Sequence, residues 1–157
     1  MIRNLGTILA ACAAACLLIS VQAAEEKPEA KDKFTAKCPV SGQPAKEAQF
    51  TAYKEAKAYF CCEKCKAAFE KEPAKHAVKA NAQLVQTKQY VQAKCPLSGG
   101  KLDKETAIKV GELKVAFCCS KCKGKAEGTE GDEQLALVFS DEAFKKGFEK
   151  AKPKEDK

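Results

Sequence analysis

The chain has 157 residues, a formal net charge of +7, 45% hydrophobic residues, no tryptophan and 10 cysteines. Its basic excess is lysine, Arg3 being the sole arginine, which argues against nucleic acid as a partner because base and phosphate readers rely on the bidentate guanidinium. Much of the apolar fraction is alanine, so small units built from this chain need staples beyond an oily core.

The elements begin with residues 1–23, where Arg3 precedes an apolar run that closes on Val21-Gln22-Ala23. That layout predicts a secretory signal peptide cut before Ala24 and an exported protein, periplasmic or extracellular. A minor alternative is lipoprotein anchoring at Cys12, since Leu9-Ala10-Ala11-Cys12 has the form of a lipobox. The run is short and alanine-rich for a bilayer span, so no stable membrane span is expected once the signal is removed. Removing it leaves eight cysteines and 27 lysines against 21 acids, a net charge of +6. Residues 24–33 and 152–157 are polar and charged, and read as a disordered linker and tail.

From residue 34 the chain repeats itself. Adding 57 to Cys38, Cys61, Cys62 and Cys65 yields Cys95, Cys118, Cys119 and Cys122. "AKCPVSGQ" becomes "AKCPLSGG", and "FCCEKC" becomes "FCCSKC". A fixed period means one structural unit used twice, with residues 34–90 and 91–151 as the two cysteine-rich repeats. Each should open with a knuckle, Cys-Pro-x-Ser-Gly, whose glycine supplies the positive φ. A β-hairpin follows, turning at Lys54-Glu55 in the first copy and Gly111-Glu112 in the second. A helix then starts at the cysteine cluster, ended or kinked by Pro73 in one repeat and finished by about Gly128 in the other.

"AQLVQT" (82–87) and "EQLALVF" (133–139) read as further strands, expected to pair across the repeats and weld them together. Ser140-Asp141 should cap a C-terminal helix with Phe144 and Phe148 on one face. The fold class expected is α+β.

The chemistry lies in the sulfurs. A hairpin returns the chain to its knuckle, so Cys38 and Cys95 should each meet the second cysteine cluster of their repeat. If Cys61 or Cys62 begins a helix, Cys65 lies one turn on, on the same face. Thiols in a first helical turn face the positive end of the macrodipole, which favours the metal-binding thiolate. Lys64, Lys66, Lys121 and Lys123 would offset the surplus negative charge, or serve as solvated helix faces.

The Cys-x22-Cys-x3-Cys spacing, with "YFCCEKCKAAFEKEP" (59–73), resembles the TRASH/YHS family of small metal-binding modules over roughly 35 residues of each repeat. Related treble-clef zinc modules take two ligands from a Cys-x-x-Cys-Gly knuckle, whereas Ser41 and Ser98 fill the second position here, and Ala126 stands where Phe69 stands in the first copy. The resemblance implies two tandem treble-clef-like units, each of knuckle, hairpin and helix. The vicinal cysteines offer a replacement ligand, giving candidate sets Cys38/Cys61/Cys62/Cys65 and Cys95/Cys118/Cys119/Cys122. Three thiolates with an open fourth position is the alternative. A closed tetrahedral site suits zinc, the first expectation, and a trigonal or open one suits copper or another soft ion.

The function expected is non-enzymatic binding of one thiophilic metal per repeat, for sensing, sequestration, delivery or structural support. The partners would be the ion and a metal transporter or another exported protein. The alternatives are a disulfide-stapled interaction module and a thiol–disulfide oxidoreductase using Cys62-x-x-Cys65 and Cys119-x-x-Cys122. His76, the sole histidine, reads as an exposed surface residue. Ser41 and Ser98 read as turn residues, and Phe60, Phe69 and Phe117 as core side chains shielding the sulfurs.

Overall fold

A computed structural model describes residues 34–152. The signal-peptide, linker and tail expectations fall outside the described residues, save for Lys152. The described chain is α+β, with small antiparallel sheets beside short helices, as the sequence predicts.

Both repeats open alike. In the first, Gly42 takes φ 73° and returns its N–H to the Cys38 carbonyl at 2.8 Å, closing the knuckle. Strands β1 (Lys46–Tyr53) and β2 (Ala56–Phe60) then form an antiparallel hairpin. Lys54 and Glu55 at its tip both have positive φ, the handedness a two-residue hairpin turn requires. Helix α1 (Glu63–Lys71) follows, and Pro73 ends it as expected. Because proline suits a first helical position, the chain does not leave the helical regime there. A 3-10 turn over Pro73–His76 leads straight into helix α2 (Ala77–Gln86), then strand β3 (Tyr90–Gln92).

The second repeat runs through the Cys95 knuckle, β4 (Asp103–Val110), β5 (Leu113–Phe117), α3 (Ser120–Glu127) and α4 (Gly131–Phe139). Helix α5 (Asp141–Gly147) and strand β6 (Phe148–Lys150) complete it.

The segments at 82–87 and 133–139 are therefore helical, not strands. Leu84 and the neighbouring Ala77, Ala80 and Asn81 recur at helical spacing and are buried together. A six-residue window that begins mid-helix hides that period. The weld between repeats also differs from the expected strand pair: α2 packs against α4 and α5, and the short strands β3 and β6 pair antiparallel, with Val91 opposite Glu149. The helix after Ser140 forms, but Phe148 lies beyond it on β6 and stacks on Phe144 with ring centroids 5.3 Å apart.

One core cluster surrounds Phe117, Val115, Phe139, Phe144 and Phe148 and takes in Leu84 from the first repeat. A smaller one holds Cys38, Ala58, Phe60, Phe69 and Ala80. Burying each phenylalanine contributes about 1.5–3 kcal/mol. Asn81, fully buried at the join, donates to the Phe139 carbonyl and to Asp141, both at 2.9 Å, and accepts from Lys54 Nζ at 2.8 Å. The Lys54–Asp141 ion pair at 2.6 Å lies beside it. Two repeats with alanine-rich faces are thus joined by a polar node as well as by apolar contact.

Candidate metal centre

Two joints bring the thiols of each repeat together. The knuckle holds Cys38, which is 1% exposed, and Cys95, which is fully buried. The hairpin delivers the second segment: Phe60 and Phe117, fully buried, end β2 and β5 one residue before Cys61 and Cys118. Helices α1 and α3 then carry Cys65 and Cys122 one turn along. The result is a pair of equivalent groups, Cys38/Cys61/Cys65 and Cys95/Cys118/Cys122, whose sulfurs all lie within 4.8 Å of one another. The Cys61–Cys65 and Cys118–Cys122 separations are 3.5 and 3.7 Å, those of unbonded thiols. All eight described cysteines are free.

The vicinal cysteines stand differently. Cys62 and Cys119 occupy the extended position immediately before α1 and α3 and are exposed. Their sulfurs lie 3.7 Å from those of Cys61 and Cys118 and are not among the mutually close trio.

The joint itself is held by glutamine side chains that sequence reasoning passed over. In the first repeat Gln83 donates to the carbonyls of Lys37 and Tyr59, both at 2.7 Å, and accepts the Tyr59 N–H at 2.7 Å. In the second, Gln92 donates to the carbonyls of Ala116 at 2.6 Å and Lys94 at 3.3 Å, and accepts the Ala116 N–H at 2.9 Å. Each amide ties the residue before the knuckle cysteine to the residue two before the helix-start cysteine. It also pairs the backbone at the outer edge of its hairpin, which would otherwise be left without a partner strand. Gln83 is buried and Gln92 half-buried, and neither stands in a local sequence pattern that marks it, because the partners of both lie on other elements.

Ser41 and Ser98 do more than cap turns. Their hydroxyls accept the N–H of Gln43 at 3.4 Å and Gly100 at 3.2 Å, and reach Cys61 Sγ at 3.3 Å and Cys118 Sγ at 3.1 Å. In both knuckles a hydroxyl stands beside the sulfurs.

The electrostatics follow from these placements. Burial disfavours the Cys38 thiolate, but the Ser41 hydroxyl and the N–H groups of Ser41, Cys61 and Val40 outweigh it and bring the thiol down to about 7. Cys95 is brought to about 7 in the same way, against burial, by Ser98 and the N–H groups of Ser98, Cys118 and Leu97. Burial, together with the adjoining thiols, pushes Cys65 and Cys122 up to about 12. The N–H groups of Cys65 and Cys122 lower the thiols of Cys62 and Cys119. Each cluster therefore favours one anion at the knuckle and resists further anions without a cation to offset them.

A thiophilic ion fits this donor set. Around a tetrahedral zinc with bonds of about 2.3 Å, ligand sulfurs stand about 3.8 Å apart. The Cys61–Cys65 and Cys118–Cys122 separations of 3.5 and 3.7 Å match that span, and the knuckle sulfurs lie within 4.8 Å of both. His76 belongs to neither group. It is half-buried rather than exposed, its ring 6.4 Å from that of Phe69. Phe60 and Phe69 pack beside the first cluster, and Phe117 beside the second. Lys123 pairs with Glu127 at 3.6 Å, while Lys64 and Lys121 are exposed.

No family model, curated protein or solved structure matches this chain. Among the described residues no helix is long and apolar enough to cross a membrane.

Proposed function

We propose that the protein binds one thiophilic metal ion per repeat, through Cys38, Cys61 and Cys65 in the first and Cys95, Cys118 and Cys122 in the second. One observation carries this reading: two separate stretches of chain place three unbonded sulfurs in the same tight group, each with a buried knuckle cysteine, a serine hydroxyl and a glutamine-held joint. Duplicated convergence of groups that repel one another when ionised has its simplest cause in a cation shared between them. The spacing that resembles TRASH/YHS modules supports the same reading.

The donor set is all sulfur, so the ions it selects are zinc, copper(I) and other soft metals. A trio with serine in the fourth place favours copper(I), and zinc there would complete its tetrahedron with a water. The protein does no chemistry on a substrate in this reading. It sequesters or delivers the ion, in the exported setting that its first 23 residues predict.

Titration with zinc and with copper(I) under reducing conditions tests the proposal. Wild-type protein should bind two equivalents, and Cys38→Ser and Cys95→Ser should each remove one. Unchanged stoichiometry in both variants would contradict it.

A second reading is favoured by a specific asymmetry. Cys62 is exposed with a lowered thiol, and Cys65, three residues on, has a raised one, an arrangement that suits thiol–disulfide exchange. A reduction potential near that of cellular dithiol donors, in protein that takes up no metal, would select it.

A further inference from the structure

The three ligand sulfurs of each site are graded in exposure, and the fourth cysteine extends the gradient outward. Cys38 and Cys95 are buried, Cys61, Cys65, Cys118 and Cys122 are half-buried, and Cys62 and Cys119 face solvent. Each outer sulfur sits 3.7 Å from one member of its trio, close enough to share an ion with it. The arrangement is the same in both repeats although the next residue differs, Glu63 in one and Ser120 in the other. A structural site gains nothing from an exposed thiol at its mouth. A resident fourth ligand would be expected to join the mutual group, and Cys62 and Cys119 do not.

The geometry points to Cys62 and Cys119 as exchange ligands, through which a soft metal ion enters and leaves each site by passing between this protein and the thiolates of a donor or acceptor. This rests on the metal-binding reading above and adds the route and the class of partner, a second thiolate metal carrier. In the exchange the exposed thiol loses its proton to water and its sulfur bonds the incoming ion as one donor sulfur leaves. Cys61, then Cys65 and Cys38, give up their protons to the departing donor thiolates or to water and replace the remaining donors. The exposed sulfur then lets go of the ion and regains a proton. The metal keeps its oxidation state throughout, and no external oxidant or reductant is needed. Reversal delivers the ion. Because the ion always retains sulfur ligands, it need not pass through water, where a soft ion is poorly held.

The test uses the full chain loaded with copper(I), mixed with excess of a chromophoric copper(I) chelator in the presence of a small dithiol acceptor. Transfer is followed by stopped-flow absorbance, and stoichiometry and affinity are measured separately by equilibrium competition. The double variant Cys62→Ser/Cys119→Ser should still hold two ions with affinity close to wild type, yet release them about tenfold more slowly or worse. The single variant Cys62→Ser should give two phases, one ion fast and one slow, a readout that general destabilisation would not produce. Transfer at the wild-type rate with both ions bound overturns the exchange role and leaves metal binding intact. Loss of an ion or a large loss of affinity also overturns it, by making these cysteines resident ligands. Wild-type protein that binds no copper(I) or zinc overturns the metal-binding reading itself, and the exchange role with it.

Discussion

Gln83 and Gln92 hold the same joint from different elements. Gln83 lies on α2 and Gln92 on β3, yet each clamps the backbone before its knuckle cysteine to the backbone just ahead of its helix-start cysteine. The clamp occurs twice, once per repeat, and both copies tie together the two stretches of backbone that carry the thiols. Gln83→Leu should leave the Tyr59 and Lys37 backbone groups without their partner, at a cost of about 1–3 kcal/mol. Its site-specific signature is weaker metal binding at the first repeat with the second unaffected, and Gln92→Leu should give the reverse. A two-site calorimetric titration of the variants checks this.

Ser98 lies at the mouth of the second cluster, and its hydroxyl helps bring the Cys95 thiol down to about 7. Ser98→Ala should let that thiol return toward its ordinary value of 9.0. A rise of about one unit would cut the thiolate fraction at pH 7 from about a half to about a tenth and weaken metal binding at this site about fivefold. The deficit should vanish above pH 9. Ser98→Cys should instead add a fourth sulfur and shift selectivity toward zinc over copper(I), read by competition between the two metals.

The thiols also set how the metal-free protein responds to pH. Cys38 and Cys95 titrate at about 7 in the fold and at 9.0 when unfolded, so they contribute stability that is present above 9 and lost as pH falls to 7. Cys65 and Cys122 titrate at about 12 in the fold, so their contribution is present below 9 and lost as pH rises toward 12. From these four groups the metal-free, reduced protein should be most stable near pH 9. Metal binding must remove the protons held by Cys65 and Cys122, so affinity should rise with pH and acid should release the ion. Denaturant midpoints across the range, with chelator and with metal, separate the two effects.

Gly147 ties the C-terminal elements to the second knuckle. A Cβ there would lie 2.8 Å from Pro96 Cα, and the Gly147 carbonyl accepts the N–H groups of Ala93 and Lys94 at 2.9 and 3.0 Å. Gly147→Ala should cost about 1–3 kcal/mol by displacing backbone that cannot yield cheaply. Because Pro96 follows Cys95, the variant should also lose affinity at the second site while the first binds normally. Thermal melts and site-resolved titration report the two effects.

What the sequence revealed and concealed divides along physical lines. The knuckles, the hairpin turns and the helix starts were legible because glycine, paired turn residues and cysteines at i and i+4 act locally. The meeting of knuckle cysteine and helix-start cluster followed from that local geometry, but which vicinal cysteine joins the trio depends on Cys62 and Cys119 pointing outward from the helix start. Residues 82–87 at the end of α2 and 133–139 within α4 read as strands in the sequence because their helical evidence is not local. In α2 the buried face carries Asn81 and Gln83, polar residues whose partners lie on other elements, so the apolar period is interrupted. In α4 "LALVF" is a short, nearly continuous apolar run, and such a run does not distinguish a buried helix from a strand. Ser41 and Ser98 were legible as turn residues, but their reach to the sulfurs depends on the hairpin bringing Cys61 and Cys118 back to the knuckle.

The most direct measurement is native mass spectrometry of the protein isolated from its own compartment, followed by alkylation after denaturation with chelator. The account predicts two metal ions per chain and full alkylation of Cys38, Cys61, Cys62, Cys65, Cys95, Cys118, Cys119 and Cys122, with the added mass identifying zinc or copper. A metal-free mass lowered by two hydrogens for each bridge, with those cysteines refractory to alkylation, would contradict it.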